Sequence, residues 1–190
     1  MTNSIAIFCG SALGSDQIFS ETARQVGHAI AEQGKTLVYG GGRSGLMGIV
    51  ADSALEAGGQ VIGVIPHVLV DRELAHQGLT ELHVVKDMQE RKLKMSALSD
   101  GFIAMPGGAG TLEEIFEQWT WAQLGIHLKP NAFLNVNGFY DDLLKFLKMT
   151  TDKGFTHARF TDSLIVSDSV KAILKQMDQF QAPEPKWGMV

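Results

Sequence analysis

The chain has a single cysteine among 190 residues, which excludes an internal disulfide framework. It is also poor in charge. Charged residues make up 19% of it, and 16 Lys and Arg against 21 Asp and Glu leave a formal charge of -5. Without a basic excess, the electrostatic grip that non-specific nucleic-acid binding requires is missing. Six scattered histidines form no His-x-x-x-His pair and no other zinc spacing. No uninterrupted apolar run approaches the roughly 20 residues of a membrane span. The opening Met1-Thr2-Asn3-Ser4 lacks the basic leader of a secretory signal. These absences predict a cytoplasmic protein whose partners include neither nucleic acid nor membrane.

What the chain has in quantity is glycine, 21 residues, clustered where short apolar runs end. Those runs, at residues 5–9, 36–39, 61–65, 102–105, 132–134 and 164–166, are nearly continuous rather than alternating. That is the pattern of strands covered on both faces. Residues 82–85 are a weaker candidate. Between the runs, residues 16–33, 46–57, 88–99, 111–124, 140–151 and 169–180 carry helical spacing. In the first of these, Phe19, Ala23, Val26 and Ile30 share one stripe. The alternation predicts an α/β, Rossmann-like fold, a parallel sheet of about six to seven strands with helices on both faces. The length suits one domain over residues 1–180, with 181–190 as a loose tail.

In such folds ligands bind beyond the carboxyl ends of the strands, and three glycine turns fall there. They are Cys9-Gly10-Ser11, the run from Gly40 to Gly48, and Pro106-Gly107-Gly108-Ala109-Gly110-Thr111. Glycine lets backbone N–H groups approach an anion, and a helix N-terminus adds partial positive charge. One such cluster is explained as a tight turn; three at equivalent strand ends point to a site. Gly40-x-Gly42-x-x-Gly45 has dinucleotide spacing, but it follows the second strand. Ile65 is followed by Pro66-His67 rather than by an acid, so NAD chemistry is not expected. No Gly-x-x-x-x-Gly-Lys-Ser/Thr occurs. A monophosphate or nucleotide held by backbone and hydroxyls remains.

Thr111 is read as opening the helix, with Glu114 three residues on looking toward the same entry. The alternative makes the two a capping box. Glu113 points elsewhere and is read as solvated. Arg91 shares a helix face with Met88, Met95 and Leu98, which leaves it either snorkelling or lining a pocket. Lys92 falls on a different side, with Ser96 and Ser99.

Taken together, Gly40-Gly41-Gly42-x-x-Gly45-Leu46-Met47-Gly48, Arg91-Lys92 and Pro106-Gly107-Gly108-x-Gly110-Thr111-x-x-Glu114 resemble the LOG (Lonely Guy) family. These are cytokinin riboside 5′-monophosphate phosphoribohydrolases, long labelled possible lysine decarboxylases. The resemblance covers nearly the whole chain, including Phe8-Cys9-Gly10-Ser11. It implies a homodimer that needs no cofactor and no metal. The implied reaction is hydrolysis of the N-glycosidic bond of a purine nucleoside 5′-monophosphate, a cytokinin nucleotide or AMP, to free base and ribose 5-phosphate. Arg91 and Glu114 become the catalytic pair by the same resemblance. Gly107, Gly108, Ala109, Gly110 and Thr111 become phosphate and ribose ligands, with Gly10, Ser11, Gly41, Gly42, Met88 and Lys92 also at the substrate. A base contact on the loop 66–80 falls on Glu73 or Gln77 in open register.

The residue types suit that chemistry. A carboxylate beside the sugar stabilises a developing oxocarbenium ion and orients water, a role for Glu114. An arginine, protonated throughout, balances charge near the departing base or the phosphate, a role for Arg91. A non-catalytic nucleotide or cofactor carrier on the same fold would keep the glycine turns without needing both. Pyridoxal chemistry would need a Schiff-base lysine, and none stands out. Ile115, Phe116, Trp119, Trp121 and Leu124 predict a buried helix or a subunit interface. Cys9 is read as a small core residue, and the histidines have no assignable role.

Overall fold

The computed structural model describes residues 2–70, 72 and 75–187. Among the described residues seven strands form one sheet: β1 (Ser4–Phe8), β2 (Thr36–Tyr39), β3 (Gln60–Pro66), β4 (Glu81–Val85), β5 (Gly101–Ala104), β6 (Asn131–Leu134) and β7 (Ile165–Ser167). All neighbours pair in parallel, in the order β4-β3-β2-β1-β5-β6-β7. This is the Rossmann-like architecture expected. The order reverses between β1 and β5, which makes a crevice at their carboxyl ends.

The helices are α1 (Gln17–Glu32), α2 (Gly45–Glu56), α3 (Met88–Ala97), α4 (Ala109–Leu124), α5 (Asp141–Asp152), α6 (Ala158–Thr161) and α7 (Val170–Asp178). Side chains of a strand alternate between its faces, and the two faces carry separate cores. Ile5, Ile7, Leu37 and Ile103 pack with Val26 and Ile30 of α1, Val50 of α2 and Ile173 of α7. Ala6, Phe8, Val38 and Phe102 pack with Met95 of α3, Ile115 and Trp119 of α4, and Leu147 of α5. Each fully buried large apolar side chain contributes about 1.5–3 kcal/mol. Helices therefore cover both faces, and the strands read as continuous apolar runs for that reason.

The sheet edge explains the weak signal at residues 82–85. β4 is a real strand, but Glu81 and Val84 are exposed, so its apolar run is broken. α6 has only four residues and no period to detect. The tail differs from expectation over residues 181–187. The Lys186 N–H donates to the Gln123 carbonyl (2.8 Å), and the Arg159 guanidinium donates to the Pro185 carbonyl (3.4 Å), so this stretch lies on α4 and α6. Residues 188–190 are outside the described residues. Among the described residues, no helix is long and apolar enough to cross a membrane. Among them too, no group of three or more His, Cys, Asp or Glu could hold a metal.

Candidate active site

The turns after β1 and β5 lie side by side at the switch point and are bonded to each other. The Gly10 N–H donates to the Pro106 carbonyl (3.1 Å), and the Gly10 carbonyl accepts the Leu46 N–H at the start of α2 (3.1 Å). The buried Tyr140 hydroxyl donates to the Met105 carbonyl (2.6 Å). The three glycine turns are thus laced into one floor. Gly10 acts there through a main-chain bond already made. Gly107 allows the close approach, because a Cβ on it would overlap the Thr111 side chain and come within 2.9 Å of the Gly10 nitrogen.

Over this floor opens a cleft of about 340 Å³, within the about 300–1,000 Å³ usual for small-molecule sites. One wall is the start of α4. Gly108 is its cap and Ala109 its first residue, so the helix begins two residues before Thr111. This corrects the expectation that Thr111 opens the helix, and it removes the capping box, since the cap carries no side chain. The first bond of the helix runs from the Leu112 N–H to the Gly108 carbonyl (3.2 Å). The amides of Ala109, Gly110 and Thr111 precede it and have no intrahelical acceptor. A Cβ at Gly108 or Gly110 would meet nothing within 4 Å, so the approach to those amides is open. Gly108, Ala109, Gly110 and Thr111 all line the cleft, as do Gly10 and Ser11.

Glu114, one turn further along α4, lines the same cleft. Glu113 is exposed, as its solvated reading expects, but it lines the cleft too rather than pointing elsewhere, and its carboxylate pairs with Lys92. Lys92 also pairs with Glu117 at 3.0 Å. Desolvation opposes the charge on Lys92, but the hydrogen bonds to Glu113 and Glu117 outweigh it and raise its pKa. Lys92 does not line the cleft.

Arg91 arrives from the opposite side. Asp87 caps α3 by accepting the Glu90 N–H (2.9 Å), while the Glu90 carboxylate accepts the Lys86 N–H (2.7 Å). This reciprocal cap sets the rotation of the helix and turns Arg91 inward. Arg91 is only 5% exposed. Its Nη2 donates to the Gly40 carbonyl (3.1 Å), and its Nη1 lies 3.6 Å from the Met88 sulfur. A Cβ on Gly40 would overlap the guanidinium, so the first glycine of that run makes room for Arg91. With its head group inside the protein, Arg91 lines a pocket rather than snorkels. Burial pushes the Cys9 thiol up, Glu114 pushes it further and Arg91 pulls it back, so both charged groups flank the end of β1.

Not every expected ligand faces the cleft. Gly42 bridges to Ala75, and the Gly41 carbonyl accepts the His76 N–H (3.0 Å), so this pair holds the loop 66–80 instead. Gly107 sits behind Thr111. Gln77 donates to the Ala75 carbonyl (3.2 Å) away from the cleft, and Glu73 lies outside the described residues. In return, Cys9, Met47 and Leu69 line the cleft beside the expected Met88. Adjacency to glycine turns marked the first two; nothing in the spacing marked Leu69.

Solved structures with this fold include the molybdenum cofactor carrier protein of Chlamydomonas reinhardtii (TM-score 0.71, 21% identity, 94% of this chain and 99% of that one). Another is the molybdenum cofactor binding protein of Rippkaea orientalis (TM-score 0.70, 20% identity, 94% and 97%). Curated relatives are nearer. The cytokinin riboside 5′-monophosphate phosphoribohydrolase LOG7 of Arabidopsis thaliana is 42% identical over 177 residues, covering 93% of this chain and 82% of the relative. The enzyme LOG of Oryza sativa subsp. japonica, of the same description, is 42% identical over 186 residues, covering 98% and 76%. The family described as "Possible lysine decarboxylase" matches residues 47–177. With that match and this identity over nearly its whole length, the chain belongs to the LOG family.

Proposed function

We propose that the protein hydrolyses the N-glycosidic bond of a purine nucleoside 5′-monophosphate, releasing the base and ribose 5-phosphate. The observation that carries this reading is that Arg91, Glu114 and the open amides of α4 line one cleft. The phosphate docks on the amides of Ala109, Gly110 and Thr111, where the helix dipole contributes about 0.3–2 kcal/mol. Met47, Leu69 and Met88 form an apolar wall for the base. Between them, the Glu114 carboxylate faces the sugar.

As the bond from C1′ to the base nitrogen breaks, C1′ gains oxocarbenium character that the carboxylate stabilises. Glu114 orients a water and accepts its proton as the oxygen bonds to C1′. The electrons of the broken bond leave with the base, which takes a proton. Arg91, held by the Gly40 carbonyl, stays protonated and offsets the negative charge of the departing group.

Among the described residues no lysine lines the cleft, which leaves the decarboxylase label without a Schiff-base donor there. A carrier role would leave Arg91 and Glu114 without a purpose. Action in the cytoplasm as a homodimer belongs to the same proposal. Large apolar side chains left exposed at Leu93, Ile126 and Leu128, near α3 and α4, support the dimer; a sedimentation mass of one chain at all concentrations would refute it. The activity is tested by incubating the protein with AMP and with an N6-isopentenyl riboside 5′-monophosphate. Base and ribose 5-phosphate in equal amounts are expected from at least one; release of neither refutes the reading.

A further inference from the structure

The loop 66–80 reaches the cleft through Leu69, and one buried histidine ties it to the body of the protein. His76 is 5% exposed, and both its ring nitrogens are engaged. Nδ1 accepts the Gly78 N–H (3.0 Å), which leaves the proton on Nε2 to be donated to the Asp52 carboxylate of α2 (2.8 Å). From His76 the tie runs back along the main chain. The neighbouring Ala75 N–H donates to the Val70 carbonyl (2.9 Å), and Val70 follows Leu69. The same α2 that carries Asp52 supplies Met47 to the cleft. Asp52 and His76 therefore join the two segments that build its apolar wall.

The geometry points to His76 as a positioning residue for substrate binding, acting through its bond to Asp52. Without that bond the loop keeps its main-chain contacts to Gly41 and Gly42 but loses its side-chain tie to α2, so Leu69 is held less firmly relative to Met47, while Arg91, Glu114 and the amides of α4 keep their own supports. The inference rests on the proposed hydrolase reading and adds to it a determinant of affinity at the base end of the substrate. Removing the bond should weaken binding of the nucleotide and leave the chemical step alone.

The variants separate the two ring nitrogens. His76→Asn can still accept from Gly78 but cannot reach Asp52, and Asp52→Ala removes the same bond from the other side. His76→Gln keeps a donor that reaches Asp52. His76→Asn and Asp52→Ala should each raise KM about three- to tenfold, the size of one hydrogen bond, with kcat changed less than about twofold. The double variant should raise KM no further than either single one. His76→Gln should return KM close to that of the unaltered protein. A KM that stays unchanged in both single variants, or effects that multiply in the double variant, would overturn the inference, whatever happens to Tm. Turnover by the unaltered protein is measured first; its absence refutes the hydrolase reading alone. The tie is then read from hydrogen exchange at the Leu69 and Val70 amides, faster in both single variants if His76 holds the loop and unchanged if it does not.

Discussion

At the amino end of β1, Asp178 accepts from the Thr2 N–H (2.9 Å), the Thr2 hydroxyl (2.7 Å) and the buried Lys35 ammonium (3.1 Å). Asp100 there accepts the N–H groups of Asn3 (2.8 Å) and Ser4 (3.1 Å). At the carboxyl end of the same strand, three helix amides and the Glu114 carboxylate face a cleft instead. Charges at one end hold termini and strands together, whereas at the other end Arg91 and Glu114 line a cavity. Buried polar groups that answer each other within the protein contribute stability; polar groups that line a cavity can also meet charge that develops there.

The largest break in that contrast is expected at Glu114. Glu114→Gln should lower turnover by about 10²–10⁴ with Tm nearly unchanged, measured by release of base and by calorimetry. Gly40→Ala comes next. Its methyl group displaces the Arg91 guanidinium, and turnover should fall by about 10², as it should for Arg91→Ala; wild-type turnover in Gly40→Ala would show that the docking of Arg91 is unimportant.

At the other end the sign reverses. Asp178→Ala should cost about 1–2 kcal/mol of stability in denaturant unfolding, since the carboxyl is partly exposed, and leave kcat unchanged. Desolvation pushes the Asp178 carboxyl up, but hydrogen bonds from Thr2 and then Lys35 outweigh it and leave it at about 2, below the ordinary 3.8. Its contribution is therefore full above the ordinary value and lost as the pH falls through about 2. Asp178→Asn should remove that part of the acid dependence. The smallest effect is expected at Lys92, which pairs with Glu113 and Glu117 rather than facing the cleft. Lys92→Ala should shift stability by less than about 1 kcal/mol; a large rise in KM would put Lys92 back at the substrate.

Much of this was legible in the sequence because the two cores impose a strong pattern. β1, β2, β3, β5 and β6 are buried on both faces, so they read as apolar runs, and glycine turns mark the ends of β1, β2 and β5. The face of Arg91 followed from helical spacing. The start of α4 did not, because a hydroxyl residue usually marks a helix start and here Gly108 takes the cap. The Asp87-to-Glu90 cap has the spacing of a helix start, visible in the sequence as Asp-x-x-Glu. The pairing of His76 with Asp52 crosses 24 residues and two elements, and no local periodicity carries it.

The central claim is tested most directly by offering the protein a nucleoside 5′-monophosphate and the matching nucleoside, side by side with Glu114→Gln. The account predicts base and ribose 5-phosphate in equal amounts from the monophosphate, little from the nucleoside and almost none from the variant. Equal release from the nucleoside, or undiminished release by Glu114→Gln, would contradict it.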